Sequence, residues 1–162
     1  MKRVTEILMI MMMGATAVVG GLPEYKELCS ALGAIPGWTA QEKCEGMKMT
    51  GPMGEFVTAT QQYVQNNASL KVVVMSGMQA AMMWNTYASG MQMESDEALM
   101  KIEKIGDFTV GITYDKKERS GGIVIQLAPN AVLVGNFEGM EWSSALEAMK
   151  MLDWEKLAAL FT

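Results

Sequence analysis

The chain has 162 residues, half of them apolar, and its 13 basic and 18 acidic side chains give a net charge of −5. This length and apolar content suit a single domain with a buried core, and they exclude a chain that is disordered throughout. The acidic balance excludes the basic stripe with which many proteins bind nucleic acid. It also argues against adsorption to an anionic membrane surface.

The start of the chain has the residue order of a secretory signal peptide. Residues 1–3 (Met-Lys-Arg) are positive, residues 7–21 form an uncharged and mostly apolar run, and Ala15 and Ala17 provide an A-x-A-like cleavage site before Val18. The run is 15 residues long, which is shorter than the ~18–20 residues that cross a bilayer.

We therefore predict a signal peptide over residues 1–17 and one periplasmic or secreted domain over residues 18–162. Cleavage would remove Lys2, Arg3 and Glu6 and leave 11 basic and 17 acidic residues, a net charge of −6. The alternative is an uncleaved N-terminal anchor that tethers the domain to the membrane.

The first half of the exported part reads as a short helix followed by strands. Apolar residues at helical spacing after Pro23 predict a helix over Glu24–Leu32. Runs rich in Thr, Val and Phe, separated by turn residues, predict strands over residues 42–49, 55–64 and 70–76. A change to three- and four-residue spacing then predicts a helix over residues 77–88 that packs on the sheet, with Trp84 and Tyr87 buried against it or lining a pocket.

The second half reads as hairpins followed by a helix. Residues 89–97 are expected to form a loop, and strands are predicted over residues 98–105, 107–114, 122–127 and 131–137, of which 98–105 has the weakest strand pattern. Ser144 and Glu147 have the spacing of a capping box, which predicts that a helix begins at Ser144. Its inward residues are expected to be Leu146, Met149 and Leu152. A last helical turn is predicted to begin at Asp153 or Trp154 and to run through Leu160.

Strands grouped as hairpins, with helices at the start, middle and end, indicate an α+β fold with an antiparallel sheet of about six strands flanked by helices. The element order over residues 36–160 resembles the Mog1/PsbP-like family of α/β/α sandwiches. The resemblance includes Ile-Pro-Gly-Trp at 35–38, Ile-Gly-Asp-Phe at 105–108 and Leu-Asp-Trp-Glu-Lys-Leu at 152–157. That family includes small exported bacterial proteins and shares no catalytic signature, so the resemblance implies a fold and no site residues.

Two cysteines, Cys29 and Cys44, lie 15 residues apart. In an exported protein an even number of cysteines favours a disulfide. This disulfide would connect the first helix to the first strand, and by closing the loop between them it would stabilise the folded protein by roughly 3 kcal/mol. The alternative is two unpaired thiols.

The sequence offers little for catalysis. Histidine is absent, which excludes His-dependent triads and HExxH zinc sites. The glycine-rich loops that bind phosphates are also missing. Glu94, Asp96 and Glu97 cluster in one predicted loop, but a charged loop is usually solvated. We therefore expect a protein that is not an enzyme and that has no resident cofactor.

Methionine is the compositional anomaly, with 18 residues in the chain. The closely spaced Met47, Met49 and Met53, with Met91 and Met93 next, are candidate ligands for Cu(I), which prefers soft thioethers. Alternatively, methionine serves as an adaptable core filler or as a surface for partner recognition. Five methionines occupy positions that we expect to be buried: Met75, Met78, Met82, Met100 and Met149.

The leading functional hypothesis is an exported binding or accessory domain that engages a protein partner or a small apolar ligand. Its alternatives are a methionine-rich Cu(I)-binding periplasmic protein and a membrane-tethered domain.

Overall fold

Residues 21–162 are described by a computed structural model. The predicted signal peptide and its cleavage site lie outside these residues. The helices are α1 (Tyr25–Ala31), α2 (Met78–Ala88), α3 (Trp142–Lys150) and α4 (Trp154–Ala159). The strands are β1 (Thr39–Ala40), β2 (Glu45–Gly51), β3 (Gly54–Gln65), β4 (Ala68–Ser76), β5 (Met93–Glu94), β6 (Ala98–Ile105), β7 (Phe108–Asp115), β8 (Ser120–Ala128) and β9 (Ala131–Glu138).

The strands form one sheet in the order β1-β3-β4-β9-β8-β7-β6-β5, and β2 also pairs with β3. All pairings are antiparallel. Because β4 occupies the other edge of β3, β1 and β2 share one edge and act as a single interrupted strand. The predicted α+β class and antiparallel sheet are confirmed.

The predicted number of about six strands is wrong, because the sheet formed by residues 21–162 has nine. The predicted first strand at 42–49 corresponds to β2, whose bounds lie two to three residues later. Strand β1 was not predicted, and the predicted loop at 89–97 contains β5. Both β1 and β5 have two residues, too few to show an alternating pattern in sequence.

The alternation of side chains along each strand separates the sheet into two buried faces. The core face packs against α1, α3 and α4, and its fully buried side chains include Val57, Tyr63, Leu70, Ile112, Ile123, Ile125, Leu133 and Phe137. The opposite face, here called the α2 face, packs Val124, Val132 and Val134 against Ala80 and Tyr87 of α2. Helices therefore cover both faces, and among the described residues α2 is the helix that covers the second.

The predicted capping box at Ser144 and Glu147 is wrong. Helix α3 begins two residues earlier, at Trp142, and Glu141 is its N-cap residue. The side chain of Glu141 is held by tertiary contacts, since it accepts a 2.9 Å hydrogen bond from the Tyr114 hydroxyl. The predicted inward residues of this segment, Leu146, Met149 and Leu152, are buried as expected.

Candidate functional site

Among residues 21–162, the large apolar side chains that remain exposed are all methionines: Met47, Met49, Met53, Met78, Met82, Met91, Met93 and Met151. Exposed apolar side chains that gather in one place commonly mark a binding surface, whereas isolated ones need no explanation. The placement of these methionines therefore decides whether they form a site.

Four of them line one cavity of about 510 Å³ between the β2–β3 hairpin and α2: Met49, Met53, Met78 and Met82. We call this cavity the methionine groove. Its other lining residues are Gly51, Pro52, Gly54, Glu55, Phe56 and Gln79. Met49 pairs with Phe56 across the hairpin, and Met78 and Met82 lie one helical turn apart on the same side of α2. The groove is thus lined mainly by thioethers and by one aromatic ring.

Helix α2 is fixed to the sheet at both ends. At its start, the Gly77 amide donates a 2.9 Å hydrogen bond to the Asn130 carbonyl. Gly77 has φ of 118°, and a Cβ there would lie 3.0 Å from the Glu55 carbonyl, so only glycine allows this close approach. At its end, Tyr87 packs on β7 and is hydrogen-bonded to Thr113 at 2.9 Å. The helical wall of the groove is therefore held in place against the hairpin.

Two of the groove methionines contradict the sequence analysis, which predicted that Met78 and Met82 are buried. Their exposed fractions are 58% and 63%. The buried side of α2 is instead formed by Ala80 and Tyr87. Apolar residues also occupy the exposed side of this helix, where Met78 and Met82 lie beside the polar residues Gln79, Asn85 and Thr86. The spacing of the apolar residues alone therefore did not identify the buried side. Of the other methionines expected to be buried, Met149 is fully buried, and Met75 and Met100 are half-buried.

The five candidate copper ligands from the sequence do not come together. Met49 and Met53 line the groove, and Met47 lies on the same face of β2 but outside the lining. Met93 belongs to β5, where it pairs with Met100, and Met91 precedes it. Six strands separate β2 from β5. Two groove residues, Met49 and Met53, were predicted from the sequence, whereas Met78 and Met82 were missed. The available signal for their exposure was the set of polar residues on the same side of α2: Gln79, Asn85 and Thr86.

The predicted disulfide between Cys29 and Cys44 is confirmed, with a Cα–Cα distance of 5.7 Å. It joins α1 to the residue just before β2. Beside it, Tyr25 packs so closely on β2 that a Cβ at Gly46 would lie 2.8 Å from the Cβ of Tyr25. The cross-link therefore fastens α1 to the edge of the sheet that carries the groove hairpin.

The acidic cluster of the 89–97 loop is engaged in surface ion pairs. Lys116 lies 3.3 Å from Glu94, and Lys117 pairs with Glu97, with all four side chains at least one-third exposed. Within the described residues, no three His, Cys, Asp or Glu side chains are grouped as a metal site. The cluster is therefore a solvated, ion-paired surface.

The residues whose pKa values are shifted do not line the groove. Hydrogen bonding to Glu24 raises the pKa of Lys48. Burial raises the pKa of Tyr63 to about 12, and its hydroxyl donates a 2.7 Å hydrogen bond to the Gly33 carbonyl. Burial and then the hydrogen bond to Glu141 raise the pKa of Tyr114.

Comparison of the chain with known protein families, with curated proteins and with solved structures finds no match. The resemblance to the Mog1/PsbP-like family therefore stays a prediction. In the part of the chain from residue 21 onward, none of the helices has both the length and the apolar character to cross a membrane.

Proposed function

We propose that this protein is an exported, non-enzymatic binding domain whose methionine groove takes a small apolar ligand. The observation that carries the proposal is the gathering of four exposed methionines around one cavity of about 510 Å³. Cavities that hold small molecules typically measure ≈ 300–1,000 Å³ and have mostly apolar linings with a few polar groups.

The lining suits a ligand that is apolar and not rigidly defined. Methionine is unbranched and polarizable, so its side chain adapts to ligands of different shape. Phe56 adds an aromatic surface, while the Glu55 backbone carbonyl and Gln79 supply polar groups. A protein partner that inserts an apolar side chain is the alternative occupant.

The export part of the proposal is supported by the disulfide and by the signal-like start of the chain. Disulfides persist in oxidising compartments such as the periplasm and the extracellular space. Intact mass of the protein from an envelope or secreted fraction tests this part. We expect a chain that begins at Val18 or close to it, whereas the mass of the full 162 residues in a salt-resistant membrane pellet would favour the tethered alternative.

Binding of a neutral fluorescent apolar dye such as Nile red tests the ligand site. A double variant, Met53→Ser with Met82→Ser, removes apolar surface from two walls of the groove. Each methionine buried by a ligand is worth about 1–2 kcal/mol, so we expect at least ~10-fold weaker dye binding.

The matched control is Met91→Ser with Met93→Ser, which changes two exposed methionines at the opposite edge of the sheet. We expect this control to bind the dye as the wild type does. Equal binding by both variants would contradict a site in the groove. Failure of the wild type to bind any neutral dye would exclude the small-ligand proposal and favour a protein partner.

A further inference from the structure

We infer that the methionine groove is also a site for a soft monovalent metal ion, Cu(I) or Ag(I), held by the Sδ atoms of Met49, Met53, Met78 and Met82. This inference does not depend on the apolar ligand. Metal binding requires sulfur donors, whereas binding of an apolar ligand requires only apolar surface.

The donor chemistry favours such an ion. Thioether sulfur is a soft ligand, and soft ligands select Cu(I) over the hard cations that carboxylates bind. Four thioethers line the same cavity. Each belongs to an exposed side chain, so an ion from solvent can reach it. Methionine has three rotatable bonds, so each sulfur atom can reorient within the groove.

The donors come from three pieces of backbone whose positions are fixed. Met49 lies on β2 in register with Phe56, Met53 lies in the adjoining turn, and Met78 and Met82 lie on α2. The close contact of Gly77 with the Glu55 carbonyl sets the distance between the helix and the hairpin. The site is therefore assembled by tertiary contacts that bring residues 49–53 to residues 78–82.

The aromatic ring of the lining also favours a cation. Phe56 pairs with Met49 across the hairpin and lines the groove, and an aromatic ring attracts positive charge through its quadrupole. Glu55 precedes Phe56 on the same strand, so its side chain points to the opposite face of the sheet, and its backbone carbonyl is the group that lies against Gly77.

The eight exposed methionines provide a matched pair of variants. The groove variant changes Met49, Met53, Met78 and Met82 to Leu, and the control variant changes Met47, Met91, Met93 and Met151 to Leu. Leucine has nearly the same volume and apolar character as methionine, so each variant loses four sulfur atoms and little else. Far-UV circular dichroism checks that both variants are folded.

The probes are Cu(I), kept reduced by ascorbate and titrated against a chromogenic Cu(I) chelator, and Ag(I) in calorimetry. For wild type and control we expect micromolar or tighter binding of a single ion. The groove variant should bind at least ~10-fold more weakly. With methionine methyl groups labelled by ¹³C, Ag(I) should shift the resonances of the four groove methionines.

Three results would overturn the inference: wild-type binding no tighter than micromolar, equal binding by the groove variant, or loss of binding in the control. Nile red separates this inference from the proposed function, because the groove variant keeps its apolar surface. Loss of metal binding with retained dye binding supports both proposals, whereas dye binding without wild-type metal binding contradicts the metal site alone.

Discussion

The ring of Tyr87 lies directly on the backbone of Gly111, where a Cβ atom would overlap the ring. The Tyr87 hydroxyl is hydrogen-bonded to Thr113 Oγ1 at 2.9 Å, so one side chain joins α2 to β7 by both packing and polar contact. At the other end of the helix, Gly77 lies against the Glu55 carbonyl. Two glycines on different elements thus determine how closely the methionine-bearing helix approaches the sheet.

Replacement of Gly111 by Ala should destabilise the protein by about 1–3 kcal/mol, because the new methyl group must displace the Tyr87 ring. Urea denaturation measures the loss. Gly33→Ala is the control, since a Cβ at Gly33 meets no atom within 4 Å. A Gly111 variant as stable as this control would show that the ring moves aside at no cost.

Removal of the disulfide by Cys29→Ser with Cys44→Ser should lower the free energy of unfolding by roughly 3 kcal/mol, the expected value for a 15-residue loop. The unfolded chain gains the freedom that the cross-link removes. Denaturation of both forms measures the difference. Titration of the unreduced, denatured protein should detect no free thiol, and two thiols per chain would contradict the pairing.

Stability should fall at high pH in a way that depends on Tyr63. Burial raises its pKa to about 12, whereas tyrosine in the unfolded chain titrates near ~10. The folded state therefore keeps this proton longer, so the stabilisation is complete below about pH 10 and is lost as the pH rises through about 12. Urea denaturation across this pH range should show that the free energy of unfolding falls more steeply for wild type than for Tyr63→Phe. Parallel curves would contradict the prediction.

Ser76 is fully buried, and its hydroxyl has no hydrogen-bond partner among the atoms of the described chain. Because an unpaired buried hydroxyl is costly, Ser76→Ala should keep or raise the free energy of unfolding by about 1 kcal/mol. Gln61 is also buried, but it donates a 2.6 Å hydrogen bond to the Glu42 carbonyl. Gln61→Ala should therefore destabilise by about 1–3 kcal/mol. Urea denaturation measures both changes. If the free energy of unfolding changed in the same direction in the two variants, the prediction would be contradicted.

Mild treatment with hydrogen peroxide should oxidise the groove methionines before the buried ones. Met53 is 80% exposed, whereas Met140 and Met149 are buried, and oxidation to the sulfoxide requires access. Peptide mass spectrometry measures the order. The polar sulfoxide should also weaken binding of Nile red, and oxidation of Met149 as fast as of Met53 would contradict the exposure pattern.

The local sequence was sufficient to predict most of the strands and the disulfide. Strand β6 coincides with the prediction of 98–105, and the predicted strands at 107–114 and 131–137 differ from β7 and β9 by one residue at the ends. Alternation of apolar and polar residues is a local property of a half-buried strand. The pairing of Cys29 with Cys44 was predicted from their number and from the predicted export of the chain.

The tertiary structure alone decided where α2 lies, which of its sides is buried, and therefore where the groove is. Its exposed side carries Met78 and Met82 beside the polar residues Gln79, Asn85 and Thr86. The side that faces the sheet carries Ala80, which is small, and Tyr87, whose ring lies on Gly111. Helix α3 begins at Trp142, and its N-cap residue Glu141 accepts a hydrogen bond from Tyr114 of β7, a contact that the local sequence does not show. The spacing of apolar residues shows which side of a helix is buried only when those residues are confined to one side. In α2 methionines also occupy the exposed side, so contacts with residues distant in the sequence determine which side packs on the sheet.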